Sequence, residues 1–254
     1  MKSAVKFLIN KLGFEISRKQ SEQVLQQNIF PFDFSKEEID LFNLVSPYTM
    51  TSRERVFSLI QAVRYIARHK IPGDVVECGV WKGGSMMAIA NILLAEQDRT
   101  RDLYLFDTFS GMSEPSEKDR DFSGQDAAEL LEISSNADNW IWCNAPLEGV
   151  QSVMNTTGYD QSKIHFVQGK VEDTLPASAP GKIALLRLDT DWYESTRHEL
   201  IHLFPRLSIN GVIIIDDYGY WQGAKKAVDE YFQDHNIKIL LNRIDETGRI
   251  AIKS

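Results

Sequence analysis

Short apolar runs alternate with amphipathic segments from about residue 70 onward, the pattern of a parallel sheet whose strands are joined by helices. The predicted strands are 74–80, 103–109, 163–169, 183–190 and 211–218. The predicted helices are 84–96, about 126–134, 147–157, 194–206 and 222–234. This order predicts an α/β fold with helices on both faces of the sheet.

The last two apolar runs, 237–244 and 249–254, are separated by only residues 245–248. A connection of that length joins antiparallel strands, because parallel strands need a much longer crossover. Five parallel strands, a helix and a closing antiparallel hairpin are the elements of the class I methyltransferase sheet. Dinucleotide-binding Rossmann domains usually lack the hairpin, which disfavours a dehydrogenase.

The first 50 residues contain no strong strand pattern. Ser35 and Glu38 have the spacing of a capping box, which predicts that a short helix begins there. A second, strongly periodic helix is predicted to begin near Ser52. We therefore predict an N-terminal helical lid over residues 1–50 and a domain over residues 51–254 that contains the sheet.

Composition narrows the classes of protein that fit. The chain has 254 residues, of which 43% are hydrophobic and 25% charged, as in globular proteins with a sizeable core. Its formal net charge of −8 argues against nucleic-acid binding, which needs a basic face. No apolar run approaches the length of a membrane span, and the two cysteines give no disulfide framework, so we expect a cytoplasmic location.

The first predicted strand leads into a glycine turn within GDVVECGVWKGGS, residues 73–85. A buried strand, a glycine turn and a helix open a nucleotide-type Rossmann unit. The dinucleotide fingerprint has a second glycine two positions after Gly79, where the bulk of Trp81 disfavours a pyrophosphate. Glu77 would repel phosphate but could pair with an ammonium group. These residues favour S-adenosylmethionine over a phosphate-bearing ligand; a tight turn that binds nothing is the alternative.

Ligands of open α/β sheets bind at the carboxyl ends of the strands, so the residues at those ends form the candidate site. The second predicted strand reaches Asp107, whose carboxylate could accept both ribose hydroxyls of the methyl donor. Thr108 and Gly111 follow it and join the predicted donor-binding residues.

Four aspartates lie at the ends of the fourth and fifth predicted strands. Asp189 and Asp191 point to one side if the chain stays extended, and Asp216 and Asp217 lie where the next strand turns. With no Lys or Arg expected nearby, these carboxylates would repel one another unless a cation held them. Oxygen ligands indicate Mg²⁺, with Ca²⁺ or Mn²⁺ as alternatives. A metal beside a methyl donor could lower the pKa of a substrate hydroxyl, which predicts O-methyl transfer.

A competing metal site is the H-E-x-x-H motif at residues 198–202, the signature of zinc proteases. His198 and His202 would share one helix face and could bind Zn²⁺. The motif lies in the helix after the fourth strand, away from the strand ends, and lacks the H-x-x-G-x-x-H continuation. We therefore disfavour a zinc protease.

Five stretches together resemble the macrocin O-methyltransferase (TylF) family. They are MTSRERVFSLIQAVRYI, IPGDVVECGVWKGGS, LYLFDTFSGM, LRLDTDWYEST and GVIIIDDYGYWQGAKKAVDEYF, within about residues 45–235. Members of that family are metal- and S-adenosylmethionine-dependent enzymes that methylate sugar hydroxyls of antibiotics and related glycoconjugates. The resemblance implies a class I methyltransferase fold with an N-terminal lid, a glycosylated acceptor and a homo-oligomer.

The resemblance also implies roles for particular residues. It places the metal on Asp189, Asp216 and Asp217, with Asp189 or Asp191 as the base that accepts the proton of the hydroxyl. The donor-binding residues it implies are Glu77, Gly79, Ser85, Asp107 and Thr108, with Thr51 and Arg53 closing over the donor. Two alternatives stay open: a metal-dependent methyltransferase of catechols or small phenols, and a non-catalytic Rossmann-like binding module.

Overall fold

The computed structural model describes residues 30–133 and 143–254. The chain divides into two compact units, Met1–Ile39 and Asp40–Ser254. Residues 1–29, most of the predicted lid, lie outside the described residues. The domain boundary expected after residue 50 stays a prediction.

The helices and strands follow the predicted alternation. The helices are α1 Lys36–Val45, α2 Arg53–Arg68, α3 Gly84–Ala95, α4 Ala127–Ile133, α5 Leu147–Asn155, α6 Val171–Thr174, α7 Tyr193–Leu203 and α8 Gln222–Asp234. The strands are β1 Asp74–Cys78, β2 Leu103–Asp107, β3 Ile164–Gln168, β4 Ile183–Leu188, β5 Leu207–Ile215, β6 Asn242–Arg243 and β7 Arg249–Ile252. Short 3₁₀ turns at Ser46–Tyr48, Gln161–Lys163 and Phe204–Arg206 precede or follow the longer elements.

Side-chain caps start the first two helices where the sequence predicts them. The Ser35 amide donates to Glu38 Oε2 at 2.7 Å, and the Glu38 amide donates to Ser35 Oγ at 3.3 Å, which confirms the capping box. Ser52 caps α2 by accepting a hydrogen bond from the Arg55 amide at 3.1 Å. These bonds satisfy amides that have no partner inside the helix.

The sheet has the strand order β3-β2-β1-β4-β5-β7-β6. β1 to β5 pair in parallel, whereas β7 pairs antiparallel with both β5 and β6. The predicted five parallel strands and closing hairpin are confirmed. The strand order reverses between β1 and β4, so a crevice forms outside the carboxyl ends of these strands, where open α/β sheets bind ligands.

Buried helices cover both faces of the sheet. On one face, α2 and α3 contribute Val63, Ile66, Ile89 and Leu93 to a core cluster that includes β-strand residues such as Leu105. On the other face, α7 and α8 contribute a second cluster, which includes Leu200, Leu203, Val228 and Tyr231. Within the described parts of the chain, no helix is long and apolar enough to cross a membrane.

Two predicted strand ranges are wrong. The strand expected at 237–244 is reduced to Asn242–Arg243, because Ile237, Ile239 and Leu241 pack against the core without pairing in the sheet. β5 begins at Leu207 rather than at residue 211. Asn210, with φ +64°, and Gly211 lie inside this strand at a register shift against β4, so the strand continues through them as a bulge.

Candidate active site

A cavity lies at the carboxyl ends of β1, β2, β4 and β5. All the predicted site residues line it except Arg53 and Glu77. The predicted residues that it brings together are Thr51, Gly79, Ser85, Asp107, Thr108, Gly111, Asp189, Asp191, Asp216 and Asp217. Arg53 instead pairs with its neighbour Glu54 at 2.8 Å.

The glycine turn after β1 forms one wall of the cavity. Gly79, Trp81 and Gly83 all have positive φ angles, +83°, +47° and +87°. A Cβ at Gly79 would lie 1.9 Å from the carbonyl oxygen of Asp189, so only glycine allows this turn to approach the end of β4. A Cβ at Gly84 would lie 2.6 Å from the Tyr48 carbonyl oxygen. The turn therefore packs directly against the backbone of two segments that also line the cavity.

Asp107 ties this turn to the end of β2. Its Oδ2 accepts hydrogen bonds from the amides of Val80 at 2.7 Å and Trp81 at 2.9 Å, and its Oδ1 accepts one from the Phe109 amide at 2.7 Å. Thr108 Oγ1 also lies 3.5 Å from Asp107 Oδ1, but its single proton is better placed for the Gly111 carbonyl oxygen at 2.5 Å. A carboxylate has about four acceptor positions, so the three amide bonds leave about one for a ligand. Asp107 thus has room for one ribose hydroxyl rather than the two expected from the sequence, and its donor-binding role stays a prediction.

Asp189, Asp216 and Asp217 form a group that could hold a cation. Each offers one carboxylate oxygen, and these oxygens lie within 4.8 Å of one another. Asp216 is 2% exposed, and the other two are partly buried. Burial raises the pKa of both Asp189 and Asp217 well above the usual range, because water no longer solvates their charges. Oxygen atoms at this spacing and with poorly solvated charge fit a hard divalent cation such as Mg²⁺.

Two arginines lie within this acidic cluster, contrary to the expectation that it contains no nearby cationic side chain. Arg187, in β4, is 3% exposed. Its guanidinium contacts Glu77 Oε1 at 2.6 Å, Asp189 Oδ2 at 2.7 Å and Asp216 Oδ1 at 2.7 Å. The second arginine, Arg55 in α2, donates to Asp216 Oδ2. The cluster is therefore partly neutralised by the protein itself.

Glu77 has a different environment from the one expected. Its side chain is fully buried, and Arg187 pairs with one of its oxygens, while the other has no hydrogen-bond partner among the described residues. Burial raises the pKa of Glu77 to about 7, and the charge of Arg187 opposes this shift. The structure places Glu77 against Arg187 and not among the residues that line the cavity.

Asp191 lies beside the three grouped aspartates and has a strained backbone, with φ +67°. Its amide donates to Asp217 Oδ2 at 3.2 Å. Burial raises the pKa of Asp191 to about 7, with the nearby charge of Asp189 acting in the same direction. A carboxylate with this pKa is suited to accept a proton near neutral pH.

The histidines and the glutamate of the H-E-x-x-H motif are not among the residues that line the cavity. The rings of His198 and His202 pack edge to face with centroids 4.4 Å apart. Glu199 is fully buried, and its Oε1 accepts a hydrogen bond from Thr190 Oγ1 at 2.9 Å. The glutamate therefore supports the loop that carries Asp189 and Asp191. Among the described residues, the group of three or more side chains placed to hold a metal is Asp189, Asp216 and Asp217.

Aromatic side chains form the wall next to Asp191. Trp192 and Trp221 pack edge to face with ring centroids 4.9 Å apart, and both line the cavity together with Tyr220. Trp192 Nε1 donates to the Ser113 carbonyl oxygen at 2.9 Å, which fixes its ring. Sequence reasoning missed this wall, although Trp192 directly follows Asp191 and Trp221 comes only four residues after Asp217.

The family model described as macrocin O-methyltransferase (TylF) matches residues 6–252. The chain belongs to this family. It is an O-methyltransferase, and the predicted resemblance is confirmed over a longer range than the motifs alone cover.

Individual members of the family are similar over most of the chain. The 8-demethyl-8-(2,3-dimethoxy-alpha-L-rhamnosyl)-tetracenomycin-C 4'-O-methyltransferase of Streptomyces olivaceus is 35% identical over 202 residues, 79% of this chain and 74% of the relative. The demethyldecarbamoylnovobiocin O-methyltransferase of Streptomyces niveus is 33% identical over 207 residues, again 79% of this chain and 74% of the relative.

Solved structures establish the fold of this O-methyltransferase. The O-methyltransferase NovP has a TM-score of 0.71 and 30% identity, with 82% of each chain covered. CalS11, a TDP-rhamnose 3'-O-methyltransferase, has a TM-score of 0.56 and 19% identity, with 94% of this chain and 96% of CalS11 covered. Together with the sheet order, these similarities confirm the predicted class I methyltransferase fold.

Proposed function

We propose that the protein is a divalent-cation-dependent enzyme that transfers a methyl group from S-adenosylmethionine to a sugar hydroxyl of a glycosylated natural product or glycan. The observation that carries this proposal is the aspartate group within one cavity: Asp189, Asp216 and Asp217 lie with their oxygens within 4.8 Å, and Asp191 is next to them. The relatives whose names specify a rhamnosyl or other natural-product acceptor support the choice of substrate class.

The donor half of the cavity is formed by the turn after β1 and by the end of β2. Gly79 and Ser85 place backbone and a small side chain against the ligand, and the bulk of Trp81 in the same lining disfavours a pyrophosphate. Asp107 orients the turn and offers its remaining acceptor position to a ribose hydroxyl. Thr51 lines the same cavity from the segment before α2 and would close over the donor.

The acceptor half is formed by the aspartates and the aromatic wall. Asp189, Asp216 and Asp217 would hold the cation, whose charge lowers the pKa of a nearby hydroxyl. Of the two candidate bases, Asp191 is the better one. Asp189 is paired with Arg187 and belongs to the ligand group, whereas Asp191 lines the cavity with a pKa of about 7. Trp192 and Trp221 are 2% and 3% exposed and fix the shape of this wall, while the partly exposed ring of Tyr220 suits the apolar side of a sugar ring.

The test is a methyl-transfer assay with S-adenosylmethionine and a panel of acceptors, each with Mg²⁺ and with EDTA. Rhamnosylated and other glycosylated natural products form one set, and catechols and small phenols form the other. We expect Mg²⁺-dependent methylation within the glycosylated set. Turnover only with catechols or phenols would replace the sugar assignment, and full turnover in EDTA would contradict the cation.

Binding measurements distinguish the donor site from the metal site. Calorimetric titration of S-adenosylhomocysteine should give binding both with Mg²⁺ and with EDTA, because the donor residues and the metal ligands are different side chains. A chain that binds neither S-adenosylhomocysteine nor Mg²⁺ would support the non-catalytic binding module instead.

A further inference from the structure

Both oxygens of Asp216 are engaged by arginines. Arg187 Nη2 contacts Asp216 Oδ1 at 2.7 Å, and Arg55 Nη1 contacts Asp216 Oδ2. Asp216 is also one of the three carboxylates grouped as cation ligands. A divalent cation therefore has to share or displace one of these two guanidinium groups to reach an oxygen of Asp216.

The two arginines differ in how firmly they are held. The side chain of Arg187 is 4% exposed and contacts carboxylates from three places in the sheet, the ends of β1, β4 and β5. The side chain of Arg55 is 17% exposed, and it comes from α2 rather than from the sheet. Arg55 is thus the more solvated of the two guanidinium groups, and moving it away from Asp216 costs less electrostatic free energy than moving Arg187.

A second carboxylate is already beside Arg55. Arg55 Nε lies 3.0 Å from Asp245 Oδ2, in the turn between β6 and β7. Asp245 is fixed by hydrogen bonds from Ser52 Oγ at 2.5 Å and from the Gly248 amide at 2.8 Å. A Cβ at Gly248 would lie 2.9 Å from Arg55 Cδ, so glycine at this position leaves room for the arginine. Arg55 therefore has a rigid second partner within contact distance.

We propose that Arg55 is the internal counter-ion that sets the cation affinity of the Asp189, Asp216 and Asp217 group: it occupies Asp216 and yields it to a divalent cation by shifting its pairing to Asp245. This inference rests on the proposed function, because it needs the aspartates to bind the cation. It goes beyond the proposed function because Arg55, which is not a metal ligand, competes with the cation for Asp216. It also links the metal to the segment before α2, since Ser52 and Arg55 both hold Asp245 while the adjacent Thr51 lines the donor half of the cavity.

The proposal predicts opposite effects for two changes that each remove one charge, measured by calorimetric titration of Mg²⁺ into the full chain. Arg55→Gln removes the competing charge and should tighten Mg²⁺ binding by about tenfold or more, because a unit charge this close to a partly buried site acts strongly on it. Asp245→Asn removes the second partner, leaves Arg55 on Asp216 alone and should weaken Mg²⁺ binding. In the double variant the effect of Asp245→Asn should largely disappear, because its cause is Arg55.

Arg68→Gln is the matched control, because Arg68 lies in the same helix and pairs with Glu96 at 2.6 Å away from the cavity. It should leave the Mg²⁺ affinity unchanged, and thermal unfolding of each variant checks that the domain is folded. If Arg55→Gln does not fold, the weaker binding expected of Asp245→Asn still tests the proposal.

The outcomes separate this inference from the proposed function. If the natural chain binds no Mg²⁺, Mn²⁺ or Ca²⁺, the cation part of the proposed function fails and this inference fails with it. If the natural chain binds Mg²⁺ but Arg55→Gln binds it equally or more weakly, or Asp245→Asn binds it equally or more tightly, Arg55 does not compete as proposed and only this inference is overturned.

Discussion

Asp189 and Asp191 are only two residues apart, yet their surroundings give them different chemistry. Asp189 faces Arg187 at 2.7 Å and lies within the ligand group, so its charge is already opposed. Asp191 is turned by its φ of +67° toward Asp217 and Trp221, and burial raises its pKa to about 7. In the proposed function, the positive φ at Asp191 is what separates the candidate base from Asp189, a candidate metal ligand.

The first prediction follows from that difference. Asp191→Asn should lower the turnover number by roughly 10²–10⁴-fold, the usual contribution of a general base. Its affinities for Mg²⁺ and S-adenosylhomocysteine should stay within about threefold of the natural protein, because Asp191 belongs to neither set of ligands. Asp216→Asn is the contrasting variant, since it should lose Mg²⁺ binding as well as turnover. A variant at Asp191 that retains full turnover would return the role of the base to Asp189.

The second prediction concerns Asp107, which serves both the turn and the donor. Asp107→Ala removes the acceptor of three backbone amides, so the free energy of unfolding should fall by about 1–3 kcal/mol. The affinity for S-adenosylhomocysteine should fall as well, because the turn loses its shape and the ribose loses an acceptor. Urea unfolding and calorimetry measure the two effects separately. Lower stability with unchanged affinity would leave Asp107 a purely structural role.

Whole elements depend on a few glycines with no space for a side chain. Gly79→Ala would place a Cβ 1.9 Å from the Asp189 carbonyl oxygen, so β1 and β4 would have to separate at the site. The expected loss of stability exceeds the roughly 1–2 kcal/mol that a left-handed backbone costs an alanine. Gly158→Ala is the matched control, because Gly158 also has a positive φ, +73°, but a Cβ there would meet nothing within 4 Å among the described residues.

Thermal or urea unfolding of both variants gives the comparison. Gly79→Ala should be clearly less stable than Gly158→Ala and should also bind S-adenosylhomocysteine more weakly, since the turn lines the donor half of the cavity. Equal losses in the two variants would mean that the close approach of Gly79 to β4 contributes little.

The elements also explain which features could be predicted from the sequence. The five parallel strands and their acidic ends were predictable, because apolar runs mark buried strands and the strand ends meet at one edge. β6 was not, because Ile237, Ile239 and Leu241 have the alternation of a strand but use it to pack on the core without pairing. Alternation reports which side of a segment is buried, and it does not report hydrogen bonding to a neighbour.

Of the two arginines in the site, one could be predicted from the sequence and the other could not. The sequence indicates a role for Arg187, because it is the single charge within the buried run IALLRL and a buried arginine needs carboxylate partners. It gives no such indication for Arg55. Its partner Asp216 is 161 residues away in the chain, and the contact exists only because α2 packs beside the end of β5. Such a pair depends on tertiary packing and not on local pattern.

At the scale of the whole molecule, the buried aspartates link folding stability to pH and to the metal. Burial raises the pKa of Asp189, Asp191 and Asp217 above about 4, the usual value for an aspartate, and that of Asp191 to about 7, so above about pH 4 the folded chain holds protons that the unfolded chain has lost. These groups therefore contribute stability at low pH that is lost as the pH rises through the raised pKa values. A bound divalent cation compensates the ionised carboxylates and should restore that stability.

The last prediction is a melting experiment at pH 5.5 and pH 7.5, in EDTA and in Mg²⁺. Mg²⁺ should raise the melting temperature by several degrees at pH 7.5 and by much less at pH 5.5, since about 1 kcal/mol changes it by roughly 2–4 °C in a chain of this size. Other groups titrate in the same window: burial raises the pKa of Glu77 to about 7 and lowers the pKa of His202. The effect of His202 is present with and without the metal, whereas Glu77 shares Arg187 with Asp189 and Asp216, so the difference between Mg²⁺ and EDTA reports the aspartates together with Glu77. Asp217→Asn should abolish most of that difference, and an equal effect of Mg²⁺ at both pH values would show that the cation does not depend on ionisation of this group.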